Sequence, residues 1–183
     1  MSAPGRYDAV SMLLHWLMAA CILILFGLGW YMVELPKGGP ERTYFFALHK
    51  SIGLTTAVLL IIRIGWRLAH AAPALPDSMR GWQKKLANST HVLLYVLMFV
   101  QPLSGYLSSS FSGYSTRFWG LALPQWAPQD TVVNEMFTEI HVASSVLLLC
   151  VVTLHLLGGL GHLFSLHTNV LVRMWPGSGS APQ

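Results

Sequence analysis

Hydrophobic and polar positions alternate here on the scale of whole helices rather than of single turns. From Ala9 to Val33 the run AVSMLLHWLMAACILILFGLGWYMV holds no acidic or basic side chain except His15. It exceeds the roughly 20 residues that cross a bilayer. It is also longer than the apolar core of a signal peptide, and with a histidine and two tryptophans it reads as a retained helix. A second apolar run covers about residues 45–67, with Lys50, Arg63 and Arg67 near its ends, where long basic side chains can reach the headgroups. The third covers about 91–110 and the fourth about 140–164. Four such segments joined by three loops predict an all-α, integral membrane up-down four-helix bundle filling residues 1–183 as a single domain.

Composition agrees with that reading. Hydrophobic residues make up 54% of the 183 and charged ones 10%, against roughly 25% charged in an ordinary soluble domain. The net charge of +4 is spread along the chain, which excludes a nucleic-acid-binding surface. Cys21 and Cys150 both lie in apolar runs and read as packing residues. Arg6, Arg63, Arg67, Arg80, Lys84, Lys85 and Arg173 fall on one side of the bundle. Lys37, Arg42, Lys50 and Arg117 fall on the other, among acidic residues. The positive-inside bias predicts that both termini and the second loop are cytoplasmic. The last loop, with Trp119 and Trp126, reads as a segment lying at the membrane interface.

The candidate chemistry is in the histidines. HVASSVLLLCVVTLHLLGGLGH in the fourth helix carries His141, His155 and His162. Fourteen residues set His141 and His155 roughly 21 Å apart along the axis, and within roughly 40° of one another around it. Sorted by depth, His49 and His141 form an outer pair. His15 and His155 share an inner level, with His91 and His162 nearer the inner surface. His70 and His167 read as solvated cytoplasmic residues. A hydrogen bond to a neighbouring helix is the alternative for any single imidazole, but matched depths on three helices point to ligands. Two stacked imidazole pairs suit two haems with bis-imidazole ligation. Zinc would be short of ligands, and a proton relay would favour intramembrane carboxylates, which are missing from the runs. Gly53, Gly158, Gly159 and Gly161 would admit a flat macrocycle or a close helix equally well.

The HW pair His15–Trp16, the LHKSIGL segment around His49, HVLLYVLMFVQPLSGYL from His91, and the EIH and HLLGGLGH portions of the last helix resemble the bacterial cytochrome b561 family of small inner-membrane di-haem proteins. Within it the chain looks most like the superoxide oxidase branch, which passes electrons from superoxide to ubiquinone. The resemblance implies two haem b groups, the inner on His15 and His155 and the outer on His49 and His141. It also implies a quinone site at His91 and His162. Lys50, Arg117 and Arg42 are candidates for drawing an anion to the outer mouth, and Arg63 and Arg67 for haem propionates or simple positive-inside residues. The implied partners are ubiquinone, superoxide and membrane lipid. The alternative function is a membrane anchor shuttling electrons between quinone and a hydrogenase, dehydrogenase or periplasmic cytochrome.

Overall fold

The computed structural model describes residues 5–164 and 171–175, the side chains of 162–164 excepted. Four long helices run in alternating directions: α1 (Ala9–Glu34), α2 (Pro40–Ala69), α3 (Gly81–Phe111) and α4 (Thr131–Phe164). All four are long and apolar enough to cross a membrane. Between α3 and α4 lies a small hairpin of β1 (Arg117–Phe118) and β2 (Leu121–Ala122), and a 3-10 turn spans Val172–Met174.

Three helices begin well before their apolar runs. α2 starts at Pro40, α3 at Gly81 and α4 at Thr131, rather than near 45, 91 and 140. Local start signals account for this. Pro40 occupies the first turn of α2, where its missing N–H costs nothing. Gln83 Oε1 accepts from Arg80 N–H at 2.8 Å at the head of α3. Asp130 Oδ1 accepts from Val133 N–H at 3.1 Å at the head of α4. These polar first turns extend the helices past the hydrocarbon, so apolar content marks the span and capping marks the helix.

The last loop is a hairpin with a two-residue turn. Trp119 and Gly120 both have positive φ (49° and 90°), the geometry of a type I′ turn. Its backbone is held on α2: Trp119 N–H donates to Ser51 Oγ at 3.0 Å, and the Trp119 indole donates to Thr55 Oγ1 at 3.0 Å. On the other side Thr116 and Ser109 hydroxyls meet at 2.6 Å. The hairpin thus fills the gap between α2 and α3 at the end of the bundle opposite the termini. That end is called here the hairpin end.

At the termini end the chain closes on itself. Tyr7 N–H donates to the Arg173 carbonyl, Arg173 Nε donates to the Gly5 carbonyl at 2.8 Å, and the Trp16 indole donates to the Met174 carbonyl at 2.7 Å. Packing within the bundle is uneven. α1 lies along α2 and α3 along α4, with α2 against α3 as a lesser seam, while among the described residues α4 scarcely packs against α1 or α2. A small apolar core of Leu97, Leu148 and Val151 marks the α3–α4 seam.

Asp8 ties the start of α1 to the end of α2. Its carboxylate accepts from Ser11 N–H (2.9 Å), Ser11 Oγ (2.6 Å) and the Trp66 indole (3.0 Å). The Ser11 hydroxyl is the chief cause of its lowered pKa. A carboxyl whose folded pKa is depressed contributes stability above its unfolded pKa and loses it as pH falls through the folded value. Asp8→Ala should therefore cost about 1 kcal/mol at neutral pH. In detergent-solubilised thermal melts, the gap between variant and parent should close only below the ordinary carboxylate range.

Candidate functional site

Two pairs of imidazoles face each other inside the bundle. At the termini end the His15 and His155 ring centres are 6.2 Å apart. At the hairpin end those of His49 and His141 are 6.3 Å apart. One iron between two imidazoles needs two metal–nitrogen bonds of about 2.0–2.1 Å and about 1.1 Å from each nitrogen to its ring centre, or roughly 6.3 Å in all. Both pairs meet that span.

The pairs also join helices whose backbones stay apart. His15 is on α1, His49 on α2, and their partners are on α4, across the two seams where backbone contact is sparse. A Cβ added at Gly53, one turn beyond His49, would meet nothing within 4 Å, and the same holds at Gly158 and Gly161. Gly159 instead lies against Leu171. Nδ1 of His49 is buried without a hydrogen-bond partner. Among the described residues no three His, Cys, Asp or Glu side chains gather to hold a bare ion. A haem needs no such group, because the porphyrin supplies four nitrogens and the protein only two. The donor set fits a haem and leaves zinc short of ligands.

α3 builds a seat for His141 from Gln101, Ser104 and Gly105. The Gln101 carbonyl accepts from His141 Nδ1 at 2.9 Å, and Ser104 Oγ stands 3.2 Å from the same nitrogen. A carbonyl can only accept, so Nδ1 carries the proton and Nε2 is left to face a metal. The Gln101 side chain spans back to α4, donating to the His141 carbonyl (3.0 Å) and Ser144 Oγ (2.7 Å). A Cβ at Gly105 would sit 3.0 Å from His141 Cε1 and 3.1 Å from Nδ1. None of these seat residues was singled out from sequence; a glutamine amide inside an otherwise apolar run is the signal that would have found them.

At the termini end, His15 faces a cation. Arg63 NH2 is 3.4 Å from His15 Nδ1, while Nε donates to the Tyr95 hydroxyl at 3.2 Å and NH1 approaches the Ser11 carbonyl at 3.4 Å. Arg63 lines a small cavity there with Arg67, Tyr95 and Met174.

His91 is half-buried. With α3 beginning at Gly81, it lies ten residues into the helix, and its ring centre is 5.3 Å from that of His155. It also lines a cleft of about 400 Å³ with Tyr7, Arg67, the Ala72–Leu75 segment and Lys84. His162 is carried by α4, but its side chain lies outside the described residues, as does His167. His70 caps α2 and stacks on Trp66 with ring centres 3.8 Å apart.

Of the cations expected at the hairpin end, Arg42 is engaged elsewhere. Its guanidinium donates to the Val33 and Leu35 carbonyls, capping the end of α1, and lies over the Phe46 ring. Lys50 follows His49 on α2 and is half-buried; Arg117 is exposed on β1.

Comparison with known proteins agrees with this geometry. Residues 6–177 match the family described as prokaryotic cytochrome b561. The chain belongs to that family. It is 34% identical over 119 residues to the Escherichia coli K12 protein named cytochrome b561 homolog 2, covering 65% of this chain and 63% of that one. With cytochrome b561 homolog 1 of the same organism it is 23% identical over 176 residues, covering 94% of this chain and 98% of the relative. As a cytochrome b561 the protein is a multi-pass bacterial membrane oxidoreductase that binds haem b and carries electrons within the lipid phase.

The Gly105 contact gives a sharp test of the seat. Gly105→Ala should push the His141 ring against its own hydrogen bond and lower the haem-to-protein ratio of the purified cytochrome. Gly29→Ala, whose Cβ would meet His49 Cε1 at an ordinary 3.6 Å, should leave that ratio unchanged. Pyridine haemochrome assay of both variants checks it.

Proposed function

We propose that this cytochrome b561 is a superoxide oxidase, holding two haem b groups and passing electrons from periplasmic superoxide to ubiquinone. His49 and His141 would hold the outer haem, and His15 with His155 the inner one. The observation that carries the reading is the pair of imidazole sites, each spaced for one iron, at opposite ends of the span. The spacing also discriminates within the inner cluster, since 5.3 Å between His91 and His155 is too short for an intervening iron.

The balanced reaction is two superoxide ions, one ubiquinone and two protons giving two oxygen molecules and one ubiquinol. When bound, the haems supply one-electron carriage between the two faces. The side chains do the rest. Lys50 and Arg117 raise the anion concentration near the outer mouth. His91, open to the 400 Å³ cleft and beside His155, hydrogen-bonds a quinone oxygen and hands it a proton, with His162 sharing that work. The excess of cations near the termini supports a cytoplasmic placement of that end. The superoxide substrate itself rests on the resemblance to the superoxide oxidase branch.

Purified cytochrome given a superoxide-generating system and a soluble quinone should consume superoxide faster than spontaneous dismutation and accumulate quinol. Failure on both counts sinks the assignment, and co-purification with a dehydrogenase or hydrogenase subunit would then favour the membrane-anchor function. His49→Ala and His141→Ala should each remove one haem and leave the other, read from reduced-minus-oxidised spectra. His91→Ala and His162→Ala should keep both haems and slow quinol formation at least tenfold.

A further inference from the structure

The two sites differ in what stands behind their ligands. At the hairpin end the Gln101 carbonyl takes the proton of His141 Nδ1 at 2.9 Å. A hydrogen bond of that kind makes the imidazole a stronger donor to iron and favours the oxidised state. At the termini end the group behind His15 Nδ1 is the Arg63 guanidinium, 3.4 Å away. Arginine has no acceptor and stays charged, so it cannot strengthen the ligand as a carbonyl does. Its charge instead favours whichever state of the iron is less positive.

Three further features make the asymmetry count. Arg63 is half-buried in a membrane-spanning helix, where a charge is screened far less than at a wet surface. Its contacts among the described residues are a hydroxyl, a carbonyl and an imidazole, with no carboxylate to cancel it. No hydrogen bond joins a cation to His49 or His141 among those residues. Lys50, half-buried and next to His49 in sequence, acts on that imidazole through its charge alone, with no hydrogen bond to it, about 100° round α2 from it.

Resting on the two-haem reading above, we infer that Arg63 is a tuning residue which raises the reduction potential of the inner haem above that of the outer one, so that the protein is built to carry electrons from the hairpin end to the termini end. The bias acts on the one-electron carriage that the two haems would supply when bound, with no bond made or broken. Tyr95 holds the guanidinium in place through its hydroxyl, and the Gln101 carbonyl supplies the opposing bias.

Potentiometric titration of the α-bands tests this without any turnover assay, with the haems assigned through His141→Ala, which should retain only the inner one. In the parent protein the inner haem should have the higher potential. Arg63→Gln should lower that potential enough to change the ferrous-to-ferric ratio at fixed ambient potential at least tenfold, about 59 mV for one electron, leaving the outer haem within threefold of its starting ratio. Arg63→Lys should retain most of the parent value. Should Arg63→Gln fail to hold the inner haem, the parent ordering and the Arg63→Lys value still decide the matter. An inner potential at or below the outer, or an Arg63→Gln potential unchanged because a carboxylate of the bound group cancels the charge, overturns the inference while leaving two haems intact. A single haem per chain in the parent overturns the two-haem reading and the inference with it.

Discussion

An imidazole carried into a lipid-spanning bundle must find a partner there, because no water is at hand to satisfy it. That constraint organises this molecule. α4 lies along α3, and α1 along α2, while backbone contact of α4 with α1 or α2 is sparse among the described residues. Histidines cross those seams, His15 to His155 at one end and His49 to His141 at the other, with Phe26 of α1 also set against the α3–α4 core. In an apolar bundle the hydrophobic effect does little to draw helices together, since lipid is as apolar as leucine. On the proposed reading, ligand bonds to iron supply the cohesion that side-chain packing withholds, and the cofactor is a structural member of the bundle as well as its chemistry.

The same economy explains why so much of the surrounding polarity is local. Ser104, Ser110, Ser144, Thr55 and Thr56 return their hydroxyls to carbonyls four residues back on their own helices, which satisfies them without another helix. The polar groups that do reach across are concentrated on α3 and α4, where Gln101 bonds to His141 and Ser144, and Asn134 to Ser108. α3 therefore acts as the rigid support from which His141 is presented, and Gly105 is the gap that lets the ring sit against it.

The four spans and the two histidine pairings were legible in the sequence because hydropathy, helical rise and matched depth are one-dimensional quantities. Position along a helix fixes depth, and depth was enough to match His49 with His141 and His15 with His155. What depth cannot report is which neighbour lies behind a ring. Gln101, Ser104 and Gly105 act on His141 from 36 to 40 residues away, through the particular way α3 lies on α4. Hydropathy likewise misses the polar stretch GWQKKLANST, which lies outside the third apolar run although it is the first part of α3. Arg42 shows the converse, a cation counted for its charge whose hydrogen bonds, unforeseen from sequence, cap α1.

Membership in the cytochrome b561 family settles haem and electron transfer but leaves direction open; on the proposed two-haem reading, a symmetric pair of bis-histidine sites would conduct either way. The asymmetry therefore has to come from the protein's own groups. A backbone carbonyl behind one ligand cannot be removed by substitution without moving α3, whereas a guanidinium behind the other is a single side chain reached from α2. The bias at the outer site is thus fixed by the fold, and that at the inner site is adjustable by sequence. A fold that anchors one potential and leaves the other to one residue can be retuned for a different donor or acceptor without rebuilding the bundle. On the proposed reading, Arg63 marks the setting this chain has taken: toward the end where His91 opens onto the cleft.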